Sequence, residues 1–458
     1  MGAHPADSLL YRHLWSTEEI HRYFDDKGRI KVWLQILSAL ASAQSEVGII
    51  PHEAAVAIAA HADVELFDLE EVACATRATG HSTFGLIRSL RCVLPEEAAE
   101  WVYYGATVQD LTDTWTALTA RYVLDIVDRD LGHLLDTIAG LAIAHRDTVM
   151  CGRTHGQPGL PITFGFKAAV WASELSRHRE RLRDIRPRIE VVQLGGALGT
   201  MEFWMPESER LLSAFAARLG LGVPDIPWIT ARDGVAEFLG FLGMMSSTLA
   251  KIGQEVYELQ RPEIGELAET WTPGQVGSIT MPHKRNPELS EHLVTLAKVI
   301  RSNAGLGLEA MVHEHERDGR SWKTEWLAVP EACLLACTAL VLCCRLADGL
   351  QVNADRMKDN VDACAGYLMS EPVMRVLSAK IGKHSAHTLI YEATMNGRAN
   401  GLSMRDALLA NREVLTHLSV SEIDASLDLD VAVGAAGMFV DRVLKTLDTP
   451  RSKNGGAR

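Results

Sequence analysis

A chain of 458 residues with a formal net charge of −14 can bury a large core, and its length suggests roughly two to four domains. Its acidity argues against sequence-independent binding to nucleic acid or to an anionic membrane, which needs dense basic surface, so an anionic substrate must be held by a local positive site. Eight cysteines without a regular framework fit reduced thiols, while Met1-Gly2-Ala3-His4-Pro5-Ala6 lacks a leader's basic region and apolar run and, at Ala6, the myristoylation pattern, which predicts a cytoplasmic protein.

In chain order, apolar residues recur at helical spacing. Val32, Trp33, Ile36, Leu37, Leu40 and Val47 make one stripe on an early helix. His81 stands between Gly80 and the capping residues Ser82 and Thr83. Tyr104-Gly105-Ala106-Thr107-Val108-Gln109-Asp110 then interrupts the periodicity before a helix beginning near Leu111. Thr107 or Asp110 can cap that helix or serve a ligand. Gly152-Arg153-Thr154-His155-Gly156-Gln157-Pro158 again joins breakers to polar side chains at a helix edge. Alone, His155 fits a structural histidine as well as a catalytic one.

The Gly195-Gly196-Ala197-Leu198-Gly199 cluster lacks the strand and βαβ context of a dinucleotide loop. No nucleotide cofactor is expected, but a tight loop approaching a ligand or a neighbouring helix is. Val235 to about Leu259 and Pro287 to about Met311 run long with few breakers, which predicts a bundle of long helices. Alternate residues of His313-Glu314-His315-Glu316 would point to different helix faces, so no metal is implied. Cys333 and Cys337 read as core packing. No segment alternates long enough for a substantial sheet. The expected fold is all-α in three helical regions: residues 1–110, a central long-helix bundle over 111–365, and 366–458. The last region follows breaks at Gly366 and Glu371-Pro372 and ends in a disordered stretch, 449–456.

The most informative segment is Gly277-Ser278-Ile279-Thr280-Met281-Pro282-His283-Lys284-Arg285-Asn286-Pro287, with a serine, a lysine and an asparagine on one short loop. Pro287 suits the start of the following helix, whose first N–H groups would suit a substrate carboxylate. If Ser278 takes a proton, its alkoxide needs loop N–H groups or Lys284 beside it. The same lysine could neutralise the dianion formed when a proton leaves the carbon next to a carboxylate. His155 could protonate the leaving group or orient the substrate.

These residues resemble the fumarase and adenylosuccinate lyase superfamily. The serine loop is similar to its signature, and Gly152-Arg153-Thr154-His155 and Gly105-Ala106-Thr107-Val108-Gln109-Asp110 resemble its other two active-site blocks, in the family's order and spacing. The likeness extends over essentially the whole chain, including the closing Gly434-Ala435-Ala436-Gly437-Met438 helix. It implies an all-α homotetramer with a central long-helix bundle, active sites shared between subunits, a small dicarboxylate substrate and no cofactor. Carried over, Ser278 is the base, Lys284 and Asn286 bind substrate, and His155 pairs with Glu291. His81 resembles the general acid of adenylosuccinate lyases, Thr107 and Gln109 hold a substrate carboxylate with Thr154 nearby, and Arg317 belongs to the substrate-binding His315-Glu316-Arg317-Asp318 segment.

The departures bear on the substrate. Where adenylosuccinate lyases place a serine and an arginine on the nucleotide phosphate, this chain has Trp322 and Trp326, and indole offers one donor and no charge. Their N-terminal Arg-Tyr pair stands reversed as Tyr11-Arg12. Trp322 with Glu325-Trp326, and the surroundings of Ser16-Thr17-Glu18, resemble 3-carboxy-cis,cis-muconate cycloisomerases, yet many of those have tryptophan in place of His155. Val108 stands where serine is common, and Ala231-Arg232-Asp233-Gly234 lacks part of the Gln-Arg-Asp-Arg pattern. The resemblance implies a lyase that breaks a C–N or related bond in a small substituted succinate to release fumarate. The alternatives are 3-carboxymuconate lactonisation, then adenylosuccinate cleavage or a catalytically silent structural homologue.

Overall fold

Apolar periodicity becomes helix almost everywhere in the structure, a computed structural model that describes residues 4–448. The stretch expected to be disordered, 449–456, and the first three residues lie outside the described residues. The early stripe forms α1 (Asp26–Glu46), with Trp33, Ile36, Leu37 and Leu40 buried. Helices α2 (Leu69–Thr79) and α3 (Phe84–Val93) flank the His81 turn. α4 (Val108–Ala144) follows the Gly105 break, starting three residues before the expected Leu111. The other long helices are α5 (Phe164–Ile189), α6 (Asp233–Leu259), α7 (Glu288–Glu309) and α8 (Gly319–Asp348). The sequence places α6 and α7 within two residues at each end.

α4 is buried on nearly every side, with Leu111, Leu118, Leu124, Leu131 and Ile138 all inside, as expected of a helix whose apolar residues are not confined to one stripe. By composition α6 and α8 could cross a membrane, but 67% and 72% of their apolar windows are buried within the protein. They are core helices.

The chain packs as two compact units, one from the stretches up to Leu131, His178–Ala250 and His292–Leu342, the other from Gly132–Arg177, Lys251–Glu291 and the stretch from Cys343 onward. In the first unit, α5 runs antiparallel to α6, tied by Arg188 to Glu237 at 2.6 and 2.7 Å and by His178 to Thr248 at 2.9 Å. α6 meets α7 through small residues, since a Cβ on Gly307 would come within 2.6 Å of Leu239. In the second unit, α9 (Ser370–Ile381) and α10 (Lys383–Ala399) close a separate apolar cluster around Val373, Leu377 and Ile390.

The small amount of sheet carries one of the three segments that resemble the family's active-site blocks. β1 (Val149–Thr154) and β2 (Gln157–Thr163) form an antiparallel hairpin in the second unit, so Gly152–Pro158 lies on a hairpin and not at a helix edge. Its two turn residues, His155 and Gly156, have φ of +53° and +73°, the positive values that a tight right-twisting hairpin requires at both positions. Gly159 and two prolines, Pro158 and Pro161, disguise β2, because proline cannot donate to a ladder and breaks the strand pattern. The second sheet is a pair of two-residue strands, β3 (Leu267–Ala268) and β4 (Gln351–Val352).

Candidate active site

In the first unit, α4 begins with a cap that doubles as a tether. Asp110 Oδ2 accepts from the Thr107 amide at 2.9 Å, the return half of a capping box, and its two oxygens also take the amides of Gly195 at 2.7 Å and Gly196 at 3.1 Å. The glycine cluster is therefore a tight loop against a neighbouring helix, with Gly196 at φ +69°. Burial pushes the Asp110 carboxyl up to about 7, against the pull of these amide donors.

Arg317 converges on the same place, donating to Thr107 Oγ1 at 2.9 Å and to the Ala197 carbonyl at 3.0 Å, while its Nε is buried without an acceptor. A hydroxyl beside a guanidinium is a fitting mount for a carboxylate. Gln109 is fully buried; its amide nitrogen donates to the Ile229 carbonyl at 2.7 Å and its Oε1 has no donor. His81 is exposed in the turn between α2 and α3, its ring 3.4 Å from Thr83 Oγ1.

Behind this surface lies a charged cluster whose roles sequence reasoning missed. Arg232 is fully buried and gives Nη1 and Nη2 to Asp113 at 2.7 and 3.1 Å, and Nε to Glu325 at 2.9 Å with a second, shorter contact from Nη2. Asp113 also accepts from Trp322 Nε1 at 3.2 Å. Burial raises the Glu325 carboxyl. The available signal was spacing: Trp322 and Glu325 sit three apart on one face of α8, and Asp113 follows Gln109 by one turn of α4.

In the second unit, the serine loop runs from β3 to α7 and is folded on itself. Ser278 Oγ accepts from the Met281 amide at 3.0 Å, the Lys284 amide donates to the Met281 carbonyl at 2.9 Å, and Asn286 Nδ2 donates to the Gly277 carbonyl at 2.9 Å. Any side chain on Gly277 would collide with the Lys284 carbonyl and the Trp271 ring. Lys284 is exposed and its ammonium has no carboxylate partner among the described residues.

The α7 N-terminus differs from the sequence expectation. Its Leu289 and Ser290 amides go to the Glu269 carboxylate at 3.2 and 2.8 Å, so the place offered to a substrate carboxylate is filled from within. Glu291 is exposed in the first turn, its amide on the Pro287 carbonyl at 3.0 Å. On the hairpin, Thr154 and His155 are exposed, and the neighbouring Arg153 is locked to fully buried Glu266 by two bonds of 2.7 and 2.8 Å. The structure thus joins Thr107 to Arg317 in the first unit and Ser278, Lys284 and Asn286 within one loop of the second.

Two family models match this sequence: "Lyase" over residues 12–301 and "Adenylosuccinate lyase C-terminus" over residues 366–443. The chain is 38% identical over 448 residues to an N-acetyl-S-(2-succino)cysteine lyase of Dickeya dadantii, covering 98% of both chains. It is 36% identical over 443 residues to a 3-carboxy-cis,cis-muconate cycloisomerase of Pseudomonas aeruginosa, covering 96% of both. Among solved structures, a 3-carboxy-cis,cis-muconate lactonizing enzyme from Pseudomonas putida superposes with a TM-score of 0.89 at 34% identity, over 96% of this chain and 98% of that one.

Proposed function

The chain belongs to the lyase family of the fumarase and adenylosuccinate lyase superfamily, and from that premise we propose that it eliminates a small thiol or amine from a substituted succinate, releasing fumarate. Ser278 removes the proton next to a carboxylate. Its Oγ already receives the Met281 amide, an N–H placed to steady the alkoxide. Lys284 neutralises the dianion that develops, Asn286 holds the loop and reaches the substrate, and Thr107 with Arg317 anchors a carboxylate, with Gln109 and Thr154 alongside. Glu291 supports His155 as its relay. The three blocks come together when copies assemble as a homotetramer with shared sites.

The observation that carries this reading is the pair of exposed imidazoles, His81 and His155. Elimination has a departing thiolate or amine to protonate, and a histidine is suited to give that proton near neutral pH. Ring closure of a muconate releases no such group. The likeness to two relatives named N-acetyl-S-(2-succino)cysteine lyase, at 38% and 37% identity, supports the same reading and is the reason for counting sulfur among the candidate leaving atoms. Carboxymuconate lactonisation is the second reading, favoured by Trp322 and Trp326 on α8 and by the solved relative.

The test is turnover in reverse. Purified protein is given fumarate with ammonia, hydrazine, simple amines, small thiols or AMP, and the loss of fumarate absorbance and the adduct mass are followed. Addition of one small thiol or amine is expected, with none of AMP. No adduct from any of them, together with consumption of 3-carboxymuconate, would replace the lyase reading with the cycloisomerase.

A further inference from the structure

The eight cysteines are all free, and two of them meet inside the second unit. Cys151 lies on β1, 1% exposed, and Cys364 caps the C-terminus of the helix Ala354–Ala363, which packs against that strand. Cys364 is half-buried and joins Val149 and Leu429 around a small apolar cluster of Cys151, Val361 and Leu368. Burial pushes the Cys151 thiol up to about 12; the Cys364 thiol, a hydrogen-bonding neighbour, pushes the same way, and Arg153 opposes. The two sulfurs are thus adjacent, one shut away from water and the other within its reach.

The remaining thiols are arranged otherwise. Cys74 and Cys92 are exposed on α2 and α3, whereas Cys333, Cys337, Cys343 and Cys344 are buried within the single helix α8. A bond among those four would join turns that the helix already holds. Cys151 and Cys364 come instead from two elements far apart in sequence, and a polar network surrounds them. Cys364 Sγ donates to the Asn360 carbonyl at 3.3 Å, and Asn360 Nδ2 donates to Glu266 at 2.8 Å. Glu266 holds Arg153, two residues beyond Cys151 on the strand that leads to His155. Neither thiol has a part in the chemistry proposed above.

We propose that Cys151 and Cys364 are a redox-active dithiol that a hydroperoxide oxidises to a disulfide, clamping β1 to the helix Ala354–Ala363. With hydrogen peroxide, the accessible Cys364 sulfur attacks first. An S–O bond forms, the O–O bond breaks, and Cys364 becomes a sulfenic acid as one water leaves. The Cys151 sulfur then attacks the Cys364 sulfur. The S–S bond forms, the S–O bond breaks, and the departing hydroxide takes the Cys151 proton as a second water. The two thiols have lost two hydrogens with their two electrons, and the peroxide has been reduced to two waters. Apolar surroundings keep Cys151 protonated and inert until Cys364 has been oxidised. The inference invokes no substrate and stands apart from the lyase reading.

The test uses the full chain carrying Cys74→Ser and Cys92→Ser, which removes the exposed thiols from competition. Folded, reduced protein is treated with hydrogen peroxide, its remaining thiols are alkylated under denaturing conditions, and its peptides are weighed before and after a dithiol reductant. Two peptides joined through Cys151 and Cys364, together lighter by two hydrogens and parted by the reductant, are expected. Cys151 alkylated throughout while Cys364 stops at an oxygen acid overturns the proposal. So does either cysteine joined to any other partner, or both left as thiols. In Cys364→Ser, Cys151 should remain a thiol; its oxidation as readily as in the parent overturns the assigned order of attack.

A second measurement reads the clamp. Amide hydrogen exchange over residues 149–163 is expected to slow roughly tenfold or more in the oxidised chain, because a cross-link between distant residues removes open states. Peroxide should leave that exchange unchanged in Cys364→Ser. Equal exchange in the cross-linked and reduced chains overturns the clamp.

Discussion

Arg232 is a full charge with no measurable contact with solvent, tolerable only because Asp113 and Glu325 close on it from two helices. Removing one member of such a buried set costs about 3–5 kcal/mol, because the others are left as uncompensated charge. Arg232→Met should therefore lower the unfolding free energy by that order in urea titrations, and a loss near zero would mean that water reaches the carboxylates. Asp110 makes a prediction in pH. Burial holds its folded pKa at about 7, whereas an unfolded aspartate titrates near ~3.9. Between those values the native chain binds a proton that the unfolded chain does not, so this contribution is full below about pH 4 and is lost as pH rises through about 7. Wild type should lose urea stability from pH 5 to 8, and Asp110→Asn, neutral throughout, should show a flatter profile; parallel profiles would reject the titration. Sequence alone offered Asp110 as a cap and did not reveal the load it carries, since Gly195 and Gly196 are remote in sequence.

At the scale of elements, the hairpin and the serine loop place polar side chains by backbone constraint. His155 holds a left-handed conformation that costs a residue with a side chain roughly 1–2 kcal/mol, and the adjoining Arg153–Glu266 pair anchors the strand beneath it. Gly156 is the weak link: φ is +73° and a Cβ there would meet nothing within 4 Å, so substitution strains the turn alone. Gly156→Val should leave the helical circular dichroism intact yet lower turnover on the order of 10²-fold, the effect of misplacing a reacting group by about 1 Å. Full activity would detach His155 from catalysis. The long helices were legible because their apolar period persists over many turns. The hairpin was not, since Pro158, Gly159 and Pro161 erase the alternation of β2. The filled α7 N-terminus was equally hidden, because Glu269 reaches Leu289 and Ser290 across a loop of about 20 residues.

For the whole molecule, the three blocks were legible as residue types; in the proposed homotetramer the way they meet depends on assembly, which no single-chain pattern encodes. Several apolar side chains of the first unit face outward, among them Leu308 at 62% and Val312 at 72% exposed in and just after α7, and Leu327 at 63% on α8. Exposed apolar surface on long helices is the raw material of a subunit interface. Suppose that the proposed homotetramer shares its sites so that Ser278 and His81 of one working site come from different copies. Ser278→Ala alone should then reduce turnover by at least about 10²–10⁴ while leaving assembly unchanged, and His81→Ala should be similarly impaired if it is the general acid. Mixed one to one, unfolded and refolded together, the two inactive variants should recover roughly a quarter of wild-type activity, because each site makes two independent one-in-two draws of an intact residue. Recovery requires that subunits exchange, so mixing without unfolding is the control and should stay inactive if the tetramer is tight. No recovery after co-refolding, with tetramers present by light scattering, would place Ser278 and His81 in the same chain's site or remove one of them from the chemistry; a His81→Ala variant that is active alone separates those two outcomes.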